Sequence, residues 1–318
     1  MPSLTEHRDP EARHIDLRYH MRTSGVDPDL AELITEVTLA AKYIVNSVQT
    51  GDLGIAGTSN IYGEEQLALD VLSDRIIRRR LENSGLVKNI ASEEQGEIIA
   101  CYRPESGRFS VAYDPLDGSS LVDVNLAIGT IVSVHEGDNL LEPGRNQVAA
   151  MYIQYGPRTT LVYCAGKGVH EFAMNHLGEF ILSREDIRMK PKARIYSPGG
   201  LRKDYTPAHE KFISHLEQTG VKLRYSGGLV PDVNQVLMKG DGIFMYPALK
   251  DSPEGKLRLL FELKPMAYLV EQAGGKASTG KMNILDIEAH RLDQRAPIYI
   301  GCVQDVEKAE EFIRNEGE

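Results

Sequence analysis

At 318 residues, 42% hydrophobic and 26% charged, the chain has room for one large α/β domain or two of ordinary size. A formal net charge of −10 argues against a nucleic-acid partner, which calls for a basic stripe, and no apolar run approaches the ~20 residues that span a bilayer. The polar start, MPSLTEHRDPEARHIDLRYH, lacks a signal-peptide core, so the cytoplasm is the expected compartment. Cys101, Cys164 and Cys302 form no CxxC pair and read as small buried residues.

Residues 1–25 show no apolar periodicity and read as a flexible or partner-bound arm. A helix is predicted to start at Asp27, with Pro28 in its first turn and Leu30, Leu33, Ile34, Val37, Ala41, Ile44, Val45 and Val48 at helical spacing. The Gly-rich loop GDLGIAGTSNIYG (51–63) leads to a second helix over roughly 64–82, whose apolar side carries Leu67, Val71, Ile77 and Leu81. Asp70 falls within that side. An acid there is costly unless it is paired, lies near a metal, or is rotated out to solvent. Glu64, in the first turn, complements the helix dipole.

Strand-like runs follow at 86–92, 97–102, 108–113, 129–137, 146–156, 159–166, 168–174 and 178–183, each bounded by Gly, Pro or charge. Near RIYSPGG (194–200) the rhythm changes to alternating helix and strand. Helices are predicted at 207–219 and about 231–239, with strands at VKLRYS and GIFMYP. A strand over KLRLLFEL, the helix PMAYLVEQAGG, the strand PIYIGC and a last helix VQDVEKAEEFIRN complete the chain. The change of rhythm divides it into the arm (1–25), an antiparallel-rich α+β domain (26–192) and a wound α/β domain (193–318).

The chemistry concentrates in acids. In SEEQG, Glu93 and Glu94 adjoin at a strand end, either as an acidic turn or as two carboxylates with separate roles. In YDPLDGSS (113–120), Pro115 disfavours helix at Asp114, so the chain is expected to turn and bring Asp114 and Asp117 together with the Leu116 carbonyl. Two carboxylates and a carbonyl form a hard oxygen site suited to Mg²⁺ or Mn²⁺. Gly118, Ser119 and Ser120 add N–H groups and hydroxyls that can receive an anion. A cation site beside an anion site suggests a metal-bound phosphate; a plain surface double turn is the other reading. Phosphate-ester hydrolysis by shared divalent ions needs several acids, and Glu64, Asp70, Glu93, Glu94, Asp114, Asp117 and Glu262 are available. No Walker loop, GxGxxG after a strand or nucleophilic-cysteine motif competes, so water is the expected nucleophile. Lys256 and Arg258 alternate on the predicted strand ending at Glu262. Arg224, Tyr225 and the Gly227–Gly228 pair stand before a helix, either for close ligand approach or as a tight turn.

With these residues assembled, the chain resembles the class 1 fructose-1,6-bisphosphatase family and its sedoheptulose-1,7-bisphosphatase relatives. The resemblance runs over roughly 28–312, through LDVLSD, SEE, YDPLDGSS, GTI, GRNQVAA, RYSGG, GIFMYP, KLRLLFELKPMAYLVEQAGG and QRAPIYIG in that order. It implies a sugar-phosphatase fold, an α/β (α+β) layered αβαβα sandwich of two halves, usually a homotetramer without nucleic-acid or membrane partners. It implies a magnesium- or manganese-dependent hydrolase with two to three ions per subunit, acting on a sugar bisphosphate in gluconeogenesis or a cycle such as the Calvin cycle. Glu93, Glu94, Asp114, Asp117, Glu262 and the Leu116 carbonyl would hold metal. Asp70 and Glu94, assisted by Glu64, would orient and deprotonate water. Asp117, Gly118, Ser119 and Ser120 would hold the 1-phosphate, and Tyr225, Tyr246 and Lys256 the sugar and distal phosphate. Arg258 would lie beside the metals, and Arg224 would reach a neighbouring subunit's site.

Three departures qualify the resemblance. Leu121 stands where many members have Asn. SPGGLR replaces a distal-phosphate segment that commonly carries Asn and Tyr, with Arg202 expected to take over phosphate contact. VDPDL puts Asp27 where the family's AMP site uses a hydroxyl, so weak or absent AMP inhibition is expected, and no redox cysteine pair is evident. The expected reaction is release of the 1-phosphate of fructose 1,6-bisphosphate. A sedoheptulose-1,7-bisphosphatase or dual-specificity enzyme is the alternative within the class, and a non-catalytic sugar-phosphate sensor the alternative outside it.

Overall fold

The apolar pattern folds into two main sheets separated and flanked by helices, with a two-stranded sheet beside them. The structure is a computed structural model and describes residues 14–50, 55–59 and 65–315. The first part comprises α1 (Leu17–Thr23), α2 (Pro28–Thr50), β1 (Ile55–Ser59), β2 (Glu65–Leu67) and α3 (Ala68–Ser84). Then come β3 (Val87–Ser92), β4 (Ile99–Ala100), β5 (Phe109–Asp117), β6 (Ile128–Glu136), β7 (Gln147–Tyr155), β8 (Thr159–Cys164), β9 (His170–Met174) and β10 (Phe180–Arg184). The remainder holds β11 (Ile195–Pro198), α4 (Pro207–Gln218), β12 (Lys222–Leu223), α5 (Leu229–Lys239), β13 (Gly242–Tyr246), α6 (Lys264–Gln272), β14 (Lys276–Ser278), β15 (Ile298–Gly301) and α7 (Val303–Arg314).

The large sheet runs β10–β9–β8–β7–β6–β5–β3–β4, and only the β3–β5 pair is parallel. Its period-two pattern faces two cores. Met151, Ile153, Leu161 and Tyr163 pack with Leu33, Ile34 and Ile77 of α2 and α3. Ala150, Tyr152, Val162 and Cys164 pack on the other face with Val230 and Val233 of α5 and Met266 and Leu269 of α6. The small sheet, β12–β11–β13–β15–β14, lies beyond α5 and α6, with α4 and α7 against its outer face. The layers are thus αβαβα. The small sheet is mixed rather than uniformly wound, because β15 runs antiparallel to both β13 and β14. Among the described residues no helix is long and apolar enough to cross a membrane.

Two expectations are corrected here. Residues 15–23 are not a loose arm. Asp16 caps α1 through Tyr19 N–H (2.8 Å), Leu182 N–H donates to Ile15 C=O (2.8 Å), and Leu17, His20 and Met21 are buried. Two apolar residues four apart leave too weak a periodic signal to announce this helix. The second helix starts at Ala68 rather than near 64, because residues 65–67 form β2.

Gly129 of β6 lets α5 approach the strand. A Cβ there would stand 2.5 Å from Val230 Cγ1 and 2.8 Å from the Ile153 carbonyl oxygen. Gly129→Ala is expected to destabilise the fold by about 1–3 kcal/mol, lowering the denaturant midpoint at unchanged slope. A midpoint equal to wild type would show that α5 can give way.

Candidate active site

The two acids of YDPLDGSS converge through a bulged strand, where the sequence pointed to a turn. β5 continues through Asp117, and its register against β6 slips between Asp114 (opposite Ile131) and Asp117 (opposite Gly129). The extra residue re-aims the side chains. Asp114, Asp117 and Glu262 each offer a carboxylate oxygen, all within 4.8 Å of one another, and all three residues are buried. Leu116 N–H donates to Asp114 Oδ1 (2.9 Å), and Val230 N–H, in the first turn of α5, donates to Asp117 Oδ2 (2.7 Å). Thr130 Oγ1 donates to the Pro115 carbonyl (2.8 Å) and contacts Tyr155 OH (2.9 Å), which fixes the bulge from behind.

Glu262 arrives by a route that alternation did not reveal. KLRLLFEL is not a strand. Its start is extended, with an isolated bridge between Arg258 and Arg295, and Leu259–Leu263 then form a π-helical turn running into α6. That turn folds Glu262 back so that its Oε2 accepts Arg258 N–H. Single π turns occur frequently at functional sites.

The remaining acids close the pocket. Glu93 and Glu94 lie in the turn after β3, where Glu93 N–H donates to Tyr113 C=O (3.1 Å) and Glu94 N–H to Ser92 Oγ (3.3 Å). One Glu93 oxygen pairs with the Arg258 guanidinium, and Glu93 Oε2 is buried with no hydrogen-bond partner. Asp70, in the first turn of α3, is buried and accepts from Ser119 Oγ (3.3 Å). Gly118, at φ +74°, takes the left-handed conformation that opens the 3₁₀ turn Ser119–Val124.

Burial and mutual repulsion set the electrostatics. Burial, then the charges of Asp117 and Glu262, push the Asp114 carboxyl well above the usual range. Burial raises Asp117 to about 6 against the opposing Val230 N–H bond, and burial with the Asp117 charge raises Glu262 to about 7. Three buried carboxylates that resist ionising together form a donor set suited to a hard divalent cation. The unpartnered Glu93 oxygen adds a fourth residue of the same chemistry.

These acids line a cavity of about 480 Å³ together with Leu116, Gly118, Ser119, Ser120, Tyr225, Tyr246, Lys256 and Arg258. Lys256 Nζ stands 5.9 Å from the Tyr246 ring centroid. Gly199 of SPGG backs that ring, and a Cβ there would overlap it. Leu121 reaches between the DGSS and SGG turns, its Cδ1 lying 3.4 Å from a notional Gly118 Cβ and 3.1 Å from a notional Gly228 Cβ.

Two expected site residues are not among the lining. Arg202 forks onto Glu210 (2.7 Å) and faces Glu217 (3.7 Å), so its guanidinium is already matched on the surface. Arg224 is exposed and donates to the neighbouring Leu223 carbonyl (2.8 Å). Glu64 lies outside the described residues. Two contributors were missed. Arg295 lines the cavity and donates to the Lys256 carbonyl (2.8 Å); the QRAPIYIG block contained it, but no local chemistry marked it. Asp232 is fully buried and accepts Ser226 N–H (3.0 and 3.2 Å), tying down the SGG turn.

Residues 16–185 match the family model of the fructose-1-6-bisphosphatase N-terminal domain, and 189–314 that of its C-terminal domain. The class 1 fructose-1,6-bisphosphatase of Geobacter sulfurreducens is 68% identical over 299 residues, 94% of this chain and 96% of that protein. The one from Trichormus variabilis is 41% identical over 96% of this chain and 92% of its own. Among solved structures, holo fructose-1,6-bisphosphatase from Leishmania major superposes with a TM-score of 0.89 at 32% identity, covering 95% of this chain and 99% of that one. A candidate sedoheptulose-1,7 bisphosphatase from Toxoplasma gondii gives 0.87 at 32% identity, over 95% and 99% of the two chains.

Proposed function

The chain belongs to the fructose-1,6-bisphosphatase family, and on that premise we propose that it hydrolyses the 1-phosphate of D-fructose 1,6-bisphosphate to fructose 6-phosphate and phosphate. The observation that carries this reading is the convergence of buried Asp114, Asp117 and Glu262 beside the Gly118–Ser120 turn, facing Lys256 and Arg258 across one cavity. Mg²⁺ or Mn²⁺, two to three per subunit, would be held by these acids with Glu93, Glu94 and the Leu116 carbonyl, supplying charge neutralisation at the phosphoryl group and acidification of water. The chain's own residues do the rest. Backbone N–H groups and hydroxyls of Gly118–Ser120 hold the 1-phosphate. Asp70 and Glu94, assisted by Glu64, orient and deprotonate the attacking water. Tyr225 and Tyr246 position the sugar, and Lys256 holds the distal phosphate. Arg258, locked to Glu93, keeps positive charge at the acid cluster. The cytoplasm, a role in gluconeogenesis, and a homotetramer in which Arg224 reaches the neighbour's site complete the proposal. The division near residues 192–193 also belongs to it, although the core shared through α5 and α6 makes the two parts pack as neighbours.

The test is phosphate release from fructose 1,6-bisphosphate with Mg²⁺ or Mn²⁺, and a protein releasing none overturns the enzyme in favour of a sensor. Paired kcat/KM values on the C6 and C7 bisphosphates decide the second reading. The SPGG segment motivates that comparison: it backs Tyr246 with glycine, and the Arg202 guanidinium is engaged by Glu210. A large preference for the C7 sugar would make this a sedoheptulose-1,7-bisphosphatase. AMP is expected to leave turnover unchanged. Asp27 Oδ1 already takes the Asp29 and Leu30 N–H groups at the start of α2 (3.0 and 3.1 Å), and Arg108 is engaged by Asp27, Asp29 and Glu136.

Chelation supplies a second expectation. Asp117 and Glu262 titrate at about 6 and about 7 in the fold, against ~3.9 and ~4.3 unfolded. Raised carboxyl pKa values contribute stability that is full below about pH 4 and is lost as pH rises through the folded values. In EDTA the Tm should therefore fall between pH 5.5 and 8 relative to the Mg²⁺-saturated protein. Parallel Tm curves with and without Mg²⁺ would show that cations do not relieve this repulsion.

A further inference from the structure

A second cluster of metal-ligand chemistry lies at the β9–β10 edge of the large sheet, four strands from β5. His20 of α1, His170 of β9 and Glu185, just past β10, each offer one ligand atom within 4.8 Å of the others. Both histidines are buried, with 3% and 7% exposure, and Glu185 reaches them from the surface. Their rings stand edge to face at 4.4 Å between centroids. His20 Nδ1 meets Tyr163 OH at 2.8 Å, while His20 Nε2 is buried without a hydrogen-bond partner and points towards Glu185 Oε1 at 3.8 Å. His170 Nε2 stands 3.0 Å from the Lys167 carbonyl, which can only accept, so that nitrogen carries the proton and Nδ1 keeps its lone pair. Asp186 N–H donates to Nδ1 at 3.2 Å, a long bond that an ion at Nδ1 would displace.

We propose that His20, His170 and Glu185 form a site for a borderline divalent ion of the zinc class, separate from the catalytic acids, which clamps α1 to the sheet. Each histidine has an outer partner: the Lys167 carbonyl, which fixes the tautomer of His170, and the Tyr163 hydroxyl, which can donate to His20 Nδ1 and leave Nε2 to face Glu185. This is the arrangement that orients imidazole ligands. Two imidazoles and one carboxylate suit Zn²⁺ with a fourth position open to water, whereas Mg²⁺ prefers an all-oxygen shell. Burial, then the neighbouring His170, lower the His20 pKa and keep its imidazole neutral, as ligation requires. The ion would join three segments that otherwise meet through the Ile15–Leu182 backbone bond, the Asp16–Ile181 bridge and the Ile187–Val169 bond.

The test counts Zn²⁺ retained by the full chain after equilibration with Zn²⁺ in excess Mg²⁺ and desalting, using inductively coupled plasma mass spectrometry. Wild type should retain one more Zn²⁺ per chain than His20→Gln or Glu185→Gln, and the variants should bind that ion about tenfold more weakly or worse. Glu185 is exposed, so Glu185→Gln should match wild type in its metal-free Tm and should keep Mg²⁺-dependent phosphate release. The metal count thus fails or succeeds independently of the phosphatase reading. Equal Zn²⁺ in all three proteins would overturn the site. So would histidine NMR showing His20 protonated and ion-paired with Glu185 while Zn²⁺ is present.

Discussion

Asp114→Asn is expected to lower kcat/KM by about a thousandfold or more while raising the Tm of the cation-free protein at pH 8. The two effects have one cause. Asp114 is buried beside Asp117 and Glu262, and its carboxyl is pushed far up by burial and by their charges. Asn keeps the shape and can still accept Leu116 N–H, which now reaches Asp114 Oδ1 at 2.9 Å. It removes a buried carboxyl that must either hold its proton or add a third like charge within 4.8 Å of the others, so the cation-free fold relaxes. Activity moves the other way, because the site loses a charged oxygen for the cations on which phosphoryl transfer depends. Such electrostatic stabilisation amounts to several kcal/mol, and each ~1.4 kcal/mol is a factor of ten. Steady-state kinetics with a Mg²⁺ titration should show a raised cation midpoint together with the lower rate, and thermal scans in EDTA supply the other half. A variant that is both less active and less stable without cations would mean that Asp114 is chiefly a structural residue.

The same cluster shows what the sequence could and could not reveal. Asp114 and Asp117 stood out because two acids flank Pro-Leu before a hydroxyl-rich turn, a local pattern with a local reason. Their convergence was legible, but its means was not. The slip of β5 against β6 depends on Gly129 and Thr130 of the partner strand, and single-segment patterning cannot see a partner. Glu262 was legible as an acid and misread as a strand end, because alternation of Lys256, Leu257, Arg258 and Leu259 looks the same in an extended segment that then winds into a π turn. Arg295 and Asp232 act through backbone carbonyls and N–H groups of other segments, and that kind of role leaves no composition signal. Arg202 illustrates the reverse error. Its position suggested a phosphate ligand, but Glu210, eight residues on, claims the guanidinium. The helix over 17–23 escaped for a different reason, since one of its three buried residues is a histidine and the other two are a single apolar pair.

Asp70→Asn should be the second severe lesion, with a different signature. The sequence left two readings: an acid rotated out to solvent, or one retained for chemistry. The structure removes the first, because Asp70 is 6% exposed and lies on the cavity wall with Ser119 Oγ at 3.3 Å. The helix begins at Ala68, so Asp70 sits in its first turn, where the dipole favours a negative charge. A carboxylate so placed can take a proton from water near the 1-phosphate, and an amide cannot. Loss of a positioned general base costs about 10²–10⁴ in rate. The loss should fall on kcat, with KM nearly unchanged, because Asp70 is not among the side chains assigned to the sugar and the distal phosphate. The Mg²⁺ midpoint should also stay near wild type, since Asp70 is not one of the three converging acids. That last measurement separates it from Asp114→Asn. If Asp70→Asn instead shifts the Mg²⁺ midpoint as strongly as Asp114→Asn does, Asp70 holds cation rather than water. If it leaves kcat within a few-fold of wild type, the proton goes to Glu94 alone.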